Sequence, residues 1–219
     1  MASNFFAMIS RLKYIDRWAL MRNTHEENLS EHCMETACIA HALAVIGNRR
    51  FGKYYNAERA ALLGLYHDAP ETLTGDMPTP VKYYSPHIRE AYAQVEQSAC
   101  EHLVSMLPED LRADFAPFFF KDESDEELWK LVKAADKICA YIKCIEEKKA
   151  GNTEFDRAAE STLESINALG IPEAEEFMKE FLDGYRLTLD EIKEYSAKHF
   201  PQMNLDFFVT FCQTIVNLS

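Results

Sequence analysis

The sequence predicts an all-α protein, and three observations carry that expectation. Apolar residues recur at helical spacing through most of the chain, no segment sustains period-two alternation, and only 7 glycines occur in 219 residues. Apolar residues make up 47% and charged residues 27%, a globular balance, and the length suits one sizeable domain. The expected organisation is a single helical bundle over residues 1–195 followed by a C-terminal extension over 196–219.

Phe5, Met8, Ile9, Leu12 and Ile15 fall at helical spacing and predict a first helix over 5–15. The stretch from Asp16 to Asn23 breaks that pattern and reads as a loop. Ser30, a residue type that caps helix N-termini, opens a second helix through His32, Thr36, Ile39, Ala40 and Leu43 to about Ile46. A basic turn, Gly47 to Gly52, leads to a third helix from about Asn56 to His67. Pro70 disfavours helical geometry at Ala69, which ends that helix near Asp68 and restarts a short one. Gly75-Asp76-Met77-Pro78-Thr79-Pro80 reads as a rigid loop because of its two prolines. Amphipathic patterns over 86–107, 124–149 and 154–168 predict three helices, and 173–195 predicts another, interrupted near Gly184. The tail from Leu205 to Val216 is apolar, aromatic and β-branched; it fits a last helix, a strand or a contact surface for a second subunit.

The formal charge of -13, from 23 basic and 36 acidic residues, repels polymeric phosphate backbones and excludes a broad nucleic-acid footprint. It leaves room for a small phosphorylated substrate, because a metal and one or two arginines make a locally positive pocket. Six scattered cysteines without a Cys-x-x-Cys pair read as reduced, mostly buried thiols. The N-terminal stretch is too soon charged for a signal peptide, and no apolar run reaches the length of a membrane span. A cytoplasmic protein with no membrane partner is the expectation. Serine-nucleophile elbows, ATP-binding glycine loops and dinucleotide fingerprints are absent from the sequence.

The chemistry concentrates in a few polar residues in inward-facing settings. His67 and Asp68 end an apolar helical run, and His32, Glu71 and Asp136 accompany them. Asp136 is bordered by Val132, Cys139 and Ala140, and a buried carboxylate is costly unless paired or bound to metal. Taken alone it fits an arginine ion pair equally well. Asp68 and Glu71 also fit a capping box, yet Asp68 ends the preceding helix, where the dipole disfavours an anion. His67 alone fits a hydrogen-bonded core residue, and His32 alone fits a surface residue. Together, His32, His67, Asp68 and Asp136 form a mixed nitrogen and oxygen set suited to one divalent metal. Arg17 beside Trp18 fits an exposed charge next to a half-buried indole. It also fits a planar fork for phosphate beside a rigid wall for a sugar.

These residues resemble a known pattern. His32, His67-Asp68 and Asp136 are similar to the H…HD…D signature of the HD-domain metal-dependent phosphohydrolases. Arg17-Trp18-x-Leu-Met-Arg22-Asn23, Glu27-Asn-Leu-Ser-Glu-His32 and Glu71-x-Leu-Thr-Gly-Asp76-Met-Pro-Thr-Pro-Val-Lys-Tyr83 resemble the bacterial 5'-deoxynucleotidase branch, over about residues 5–192. The resemblance implies an HD-domain helical bundle that removes phosphate from deoxyribonucleoside 5'-monophosphates. It implies one divalent transition metal per subunit on His32, His67, Asp68 and Asp136. Cobalt or manganese comes first, with iron, nickel and zinc compatible with the donors. Glu71 is implied in proton transfer at the attacking water or the leaving oxygen, and Arg17 in holding the phosphate. Trp18 is implied to crowd the sugar 2' position, Thr74 to lie at the nucleotide and Asp76 to bond the 3'-hydroxyl. A homodimer is implied as well. Pro70 departs from the family, which carries a small polar residue there. The rivals are another HD-domain nucleotide reaction, such as triphosphate or phosphodiester hydrolysis, and a non-catalytic nucleotide sensor that keeps the metal for structure.

Overall fold

The computed structural model describes residues 3–82 and 84–199, the last five as backbone only. Among these residues the architecture is all-α, with eleven α-helices and no strand. The tail from Leu205 to Val216 and the extension over 196–219 lie outside the described residues, apart from the end of the last helix.

Helix α1 (Phe5–Ile9) tightens into a 3-10 turn over Ser10–Tyr14, so the first predicted helix is present in two geometries. The cap of helix α2 (Leu29–Arg50) lies two residues earlier than expected. Asn28, not Ser30, is the cap: its side chain accepts from the Ser30 and Glu31 amides, and the Glu31 carboxylate accepts from the Asn28 amide, completing a capping box. The helix also runs on into the expected basic turn, as far as Arg50. Gly47 is helical, and the absence of a side chain lets the Tyr55 ring pack against it, since a Cβ there would meet that ring at 2.6 Å; Arg49 and Arg50 complement the helix C-terminus.

Helix α3 (Ala57–Tyr66) ends at the His67-Asp68 turn, and α4 (Glu71–Thr74) follows at once. The capping-box alternative for Asp68 does not occur: Pro70 occupies the cap position and no side chain caps α4. Helix α5 (Thr79–Lys82) occupies part of the expected rigid loop, with Pro80 in a first turn where no amide donor is needed. Helix α6 (Pro86–Ser105) follows the expected pattern. Helix α7 (Glu109–Phe115) was not expected; its seven residues are too few to show a period, and acidic Glu109 and Asp110 favour its start. Helices α8 (Glu126–Lys149), α9 (Asp156–Asn167), α10 (Pro172–Phe181) and α11 (Leu189–His199) complete the order, with a 3-10 turn over Leu182–Arg186 at the expected break near Gly184.

The main core joins α2, α3 and α8 through Leu43, Ile46, Leu63, Leu131, Ile138 and Ile142, with Phe177 of α10 added. A second cluster packs Phe5 against Leu103, Leu107 and Phe119 and includes Ala69, which is fully buried. The turn that carries His67 and Asp68 is therefore held from behind by the second cluster while α3 is held by the first. None of the described helices is long and apolar enough to cross a membrane. Of the described cysteines, 33, 100, 139 and 144 are buried and Cys38 is exposed; all five are free thiols.

Candidate metal centre and active site

His32 sits near the start of α2 with no exposed surface, so the surface reading of this residue does not hold. His67 caps α3, and its Nδ1–H donates to the Gly64 carbonyl at 2.7 Å, using one of the free carbonyls at the helix end. That bond turns Nε2 away from α3, and among the described residues this buried atom has no hydrogen-bond partner. The two imidazoles meet at 5.1 Å between ring centroids.

Asp68 Oδ2 lies 3.0 Å from His67 Nε2 and 3.5 Å from His32 Nε2. Ligand atoms of His32, His67 and Asp68 all fall within 4.8 Å of one another, a spacing that can hold one ion. Asp136, from the middle of α8, stands 3.2 Å from His32 Nε2 through Oδ1 and so borders this trio. Its side chain keeps 38% of its surface exposed, more open than its apolar neighbours on the helix imply. Arg17 Nη2 is 3.8 Å from the same Oδ1, a long ion pair, so the arginine alternative for Asp136 and the ligand alternative coexist.

The electrostatics favour a cation. Burial opposes charge on His67, yet the Asp68 carboxylate holds its pKa well above the usual histidine value. Asp68 is itself lowered against burial by His67 and His32, and Asp136 is lowered against burial by its hydrogen bond and charge interaction with His32. His32 is pushed down by burial and by Arg17. The unpartnered His67 Nε2, the facing carboxylates and the mixed donor set fit a divalent transition metal.

Glu71, at the start of α4, is 8% exposed, and its buried Oε2 has no hydrogen-bond partner among the described residues. Burial, then Asp68 and Asp76, pushes its pKa up to about 9. Asp76 follows Gly75, whose positive φ turns the chain out of α4, and burial raises the Asp76 pKa as well. Thr74 donates from Oγ1 to the Gly75 carbonyl at 3.0 Å and accepts from the Tyr92 hydroxyl at 3.4 Å. Thr74 and Asp76 are both half-buried.

Arg17 and Trp18 lie on a loop that pairs with the entry to α2. Asp16 bridges Asn28 in antiparallel fashion, and the Arg17 amide donates to the Glu27 carbonyl at 2.8 Å. Arg17 Nη1 donates to Glu27 Oε1 at 2.9 Å and lies 2.7 Å from His32 Nδ1. Among the described residues its Nη2 makes no hydrogen bond, only the long ion pair with Asp136. Trp18 takes a left-handed φ of 59°, donates from Nε1 to Glu27 Oε2 at 2.9 Å and packs edge-on against Phe155 at 5.3 Å.

Sequence reasoning assigned no role to Glu27, Phe155 or the buried pair Lys143–Glu147. Glu147 accepts from the Thr24 amide at 2.9 Å, the Thr24 hydroxyl at 2.6 Å and Asn152 at 2.7 Å, which fixes the 23–28 loop to α8. Lys143 pairs with it at 2.5 Å. An i,i+4 Lys–Glu pair amid Ile138, Ile142 and Ile145 was the available signal.

The 5'-deoxynucleotidase YfbR-like family model matches residues 4–185. The 5'-deoxynucleotidase VV1113 of Vibrio vulnificus is 48% identical over 190 residues, spanning 87% of this chain and 98% of that protein. Among solved structures, an HD-domain phosphohydrolase of Listeria innocua superposes with a TM-score of 0.72 at 23% identity, covering 94% of this chain and 98% of that one. The HD phosphohydrolase DatZ of cyanophage S-2L, bound to dA and one catalytic zinc ion, gives a TM-score of 0.59 at 18% identity, covering 81% and 96%. These two structures share the fold of this chain.

Proposed function

The chain belongs to the 5'-deoxynucleotidase YfbR-like family, and we propose on that basis that it is a metal-dependent 5'-nucleotidase. It converts deoxyribonucleoside 5'-monophosphates to deoxynucleosides and orthophosphate. The single observation that best supports this is the meeting of His32, His67 and Asp68 at ligand spacing, with Nη2 of Arg17 facing Asp136 beside them at 3.8 Å.

His32, His67, Asp68 and Asp136 hold one divalent metal per subunit. Cobalt or manganese is our first choice, and zinc, which the cyanophage relative binds, suits the same donors. When bound, such an ion supplies Lewis-acid neutralisation of phosphoryl charge and acidifies water. Arg17 presents Nη2 to a phosphate oxygen while Nη1 stays anchored, so the phosphate is oriented rather than only attracted. Glu71 exchanges a proton through Oε2 with the attacking water or the leaving 5'-oxygen. The water oxygen bonds to phosphorus, the bond from phosphorus to O5' breaks, and the proton goes to O5'. Trp18 walls the sugar at its 2' carbon, Asp76 accepts from the 3'-hydroxyl, and Thr74 lies at the nucleotide.

The negative total charge and the presence of Arg17 and Lys82 as the nearby cations favour a monophosphate over a triphosphate. Product analysis tests this: orthophosphate from dAMP supports the proposal, and triphosphate or pyrophosphate from a nucleoside triphosphate supports the rival reaction. Glu71→Ala separates enzyme from sensor, since turnover is lost and nucleotide binding is spared only if the protein is catalytic. We also assign residues 1–195 to the catalytic domain and 196–219 to an extension, and expect a cytoplasmic homodimer, which light scattering at working concentration checks.

A further inference from the structure

Arg17 and Trp18 are adjacent in the chain, and both side chains are held by one residue, ten positions from the first and nine from the second. Glu27 is 11% exposed at its side chain and divides its carboxylate between them: Oε1 accepts from Arg17 Nη1 and Oε2 from Trp18 Nε1, both at 2.9 Å. Its own carbonyl accepts from the Arg17 amide, so the two segments are tied by backbone and side chain together. Trp18 holds a left-handed backbone conformation that a bulky residue rarely adopts. Phe155 supports one edge of its ring, and Glu27 holds the polar end of the indole.

We propose that Glu27 is the positioning residue that sets sugar selectivity and phosphate orientation, by locking Trp18 and Arg17 into one rigid unit. This rests on the roles given above to Arg17 and Trp18. A carboxylate is suited to the task because it offers two acceptor oxygens and no donor. Glutamine, nearly the same shape, offers one acceptor and turns an NH2 toward the other donor, so one of the two tethers must break. Aspartate keeps both acceptors but falls one methylene short.

The test uses the manganese-loaded full chain and steady-state kinetics with dAMP and AMP for wild type, Glu27→Gln, Glu27→Asp and Trp18→Ala. Glu27→Gln is expected to raise KM for dAMP about tenfold or more, the usual scale for losing a hydrogen bond to a charged group. Its ratio of kcat/KM for dAMP over AMP is expected to fall toward that of Trp18→Ala. Glu27→Asp should retain more of the ratio than Glu27→Gln. Manganese affinity, read by calorimetry, should stay within about threefold of wild type, because Glu27 makes no hydrogen bond of its own to His32: Oε1 stands 3.6 Å from His32 Nδ1, and the 2.7 Å contact there belongs to Arg17, which Asp136 also flanks.

A Glu27→Gln protein with wild-type KM and ratio, alongside a Trp18→Ala protein that has lost selectivity, overturns this proposal and leaves the nucleotidase reading standing. A Trp18→Ala protein with the wild-type ratio removes the sugar role of Trp18, and the Glu27 proposal falls with it. Loss of manganese binding in step with loss of activity in Glu27→Gln also overturns it, since the effect would then run through His32. If Glu27→Gln does not fold, Glu27→Asp decides: a raised KM with a lowered ratio supports the proposal, and unchanged values refute it.

Discussion

Gly64 of α3 rests against the backbone of Ala37 in α2, so closely that a Cβ at position 64 would lie 2.9 Å from Ala37 Cα and 3.1 Å from its nitrogen. This approach sets the distance between the two helices that carry His67 and His32. Alanine is a better helix former than glycine by about 1 kcal/mol, so Gly64→Ala would ordinarily stabilise. Here the clash is with backbone atoms that cannot rotate away, and overpacking of this kind costs about 1–3 kcal/mol. Gly64→Ala is therefore expected to lower the urea midpoint and to weaken manganese binding, measured by denaturant titration and calorimetry. A variant as stable as wild type would mean that α2 and α3 separate freely.

Glu71 carries the second prediction. Its folded pKa is pushed up to about 9, against about 4.3 for an unperturbed glutamate. Between those values the folded state holds a proton that the unfolded state has lost, so the metal-free protein should lose stability as pH rises through that window. Glu71→Gln removes the titrating group and should flatten that part of the profile, while abolishing phosphate release. Thermal melts of metal-free wild type and variant from pH 5 to pH 9 check it. Parallel profiles for the two proteins would refute the assignment.

The metal site predicts a linkage. At a metal concentration about a hundredfold above Kd, binding should add about 2.7 kcal/mol to stability. Chelation should remove that increment and re-addition should restore it. His67→Gln should abolish the effect, because the unpartnered Nε2 is the atom the ion would use. The same metal-dependent rise in melting temperature in His67→Gln would place the ion elsewhere.

The pair of Lys143 and Glu147 predicts a purely structural loss. Both side chains are almost fully buried, at 5% and 1% exposure. Replacing Glu147 by alanine leaves a buried ammonium unpaired and releases Thr24 and Asn152, at a cost of about 3–5 kcal/mol. The Glu147 pKa is lowered, against burial, by Lys143, Thr24 and Asn152. Its contribution is thus present above the ordinary glutamate pKa and fades as pH falls below it toward the folded value. Equilibrium denaturation at pH 7 and pH 3 tests both statements.

Much of the fold was legible because α2, α3, α6 and α8 are long enough to display their period. What was not legible was local or non-periodic. Seven residues of α7 cannot establish a stripe, and Asn28 displaced Ser30 as a cap because its side chain reaches two amides from an extended backbone. At the site, the His67-Asp68 pair and Asp136 stood out as polar residues on apolar faces. His32 looked able to face solvent, and its complete burial follows from the loop of residues 15–28 folding over the start of α2. The role of Glu27 was hidden for the same reason: the residue stands in a recognisable segment, but its partners lie across a loop with no repeating pattern, and the left-handed φ of Trp18 leaves no mark in residue type.

The most direct measurement is phosphate release from dAMP and AMP, side by side, with metal-stripped protein and with added cobalt or manganese. Release that depends on metal, strong from dAMP and weak from AMP, is the expected result, and it joins the metal centre to the Trp18 sugar wall. Equal release from both nucleotides would contradict the deoxyribose selectivity, and no release with any metal would contradict the nucleotidase itself.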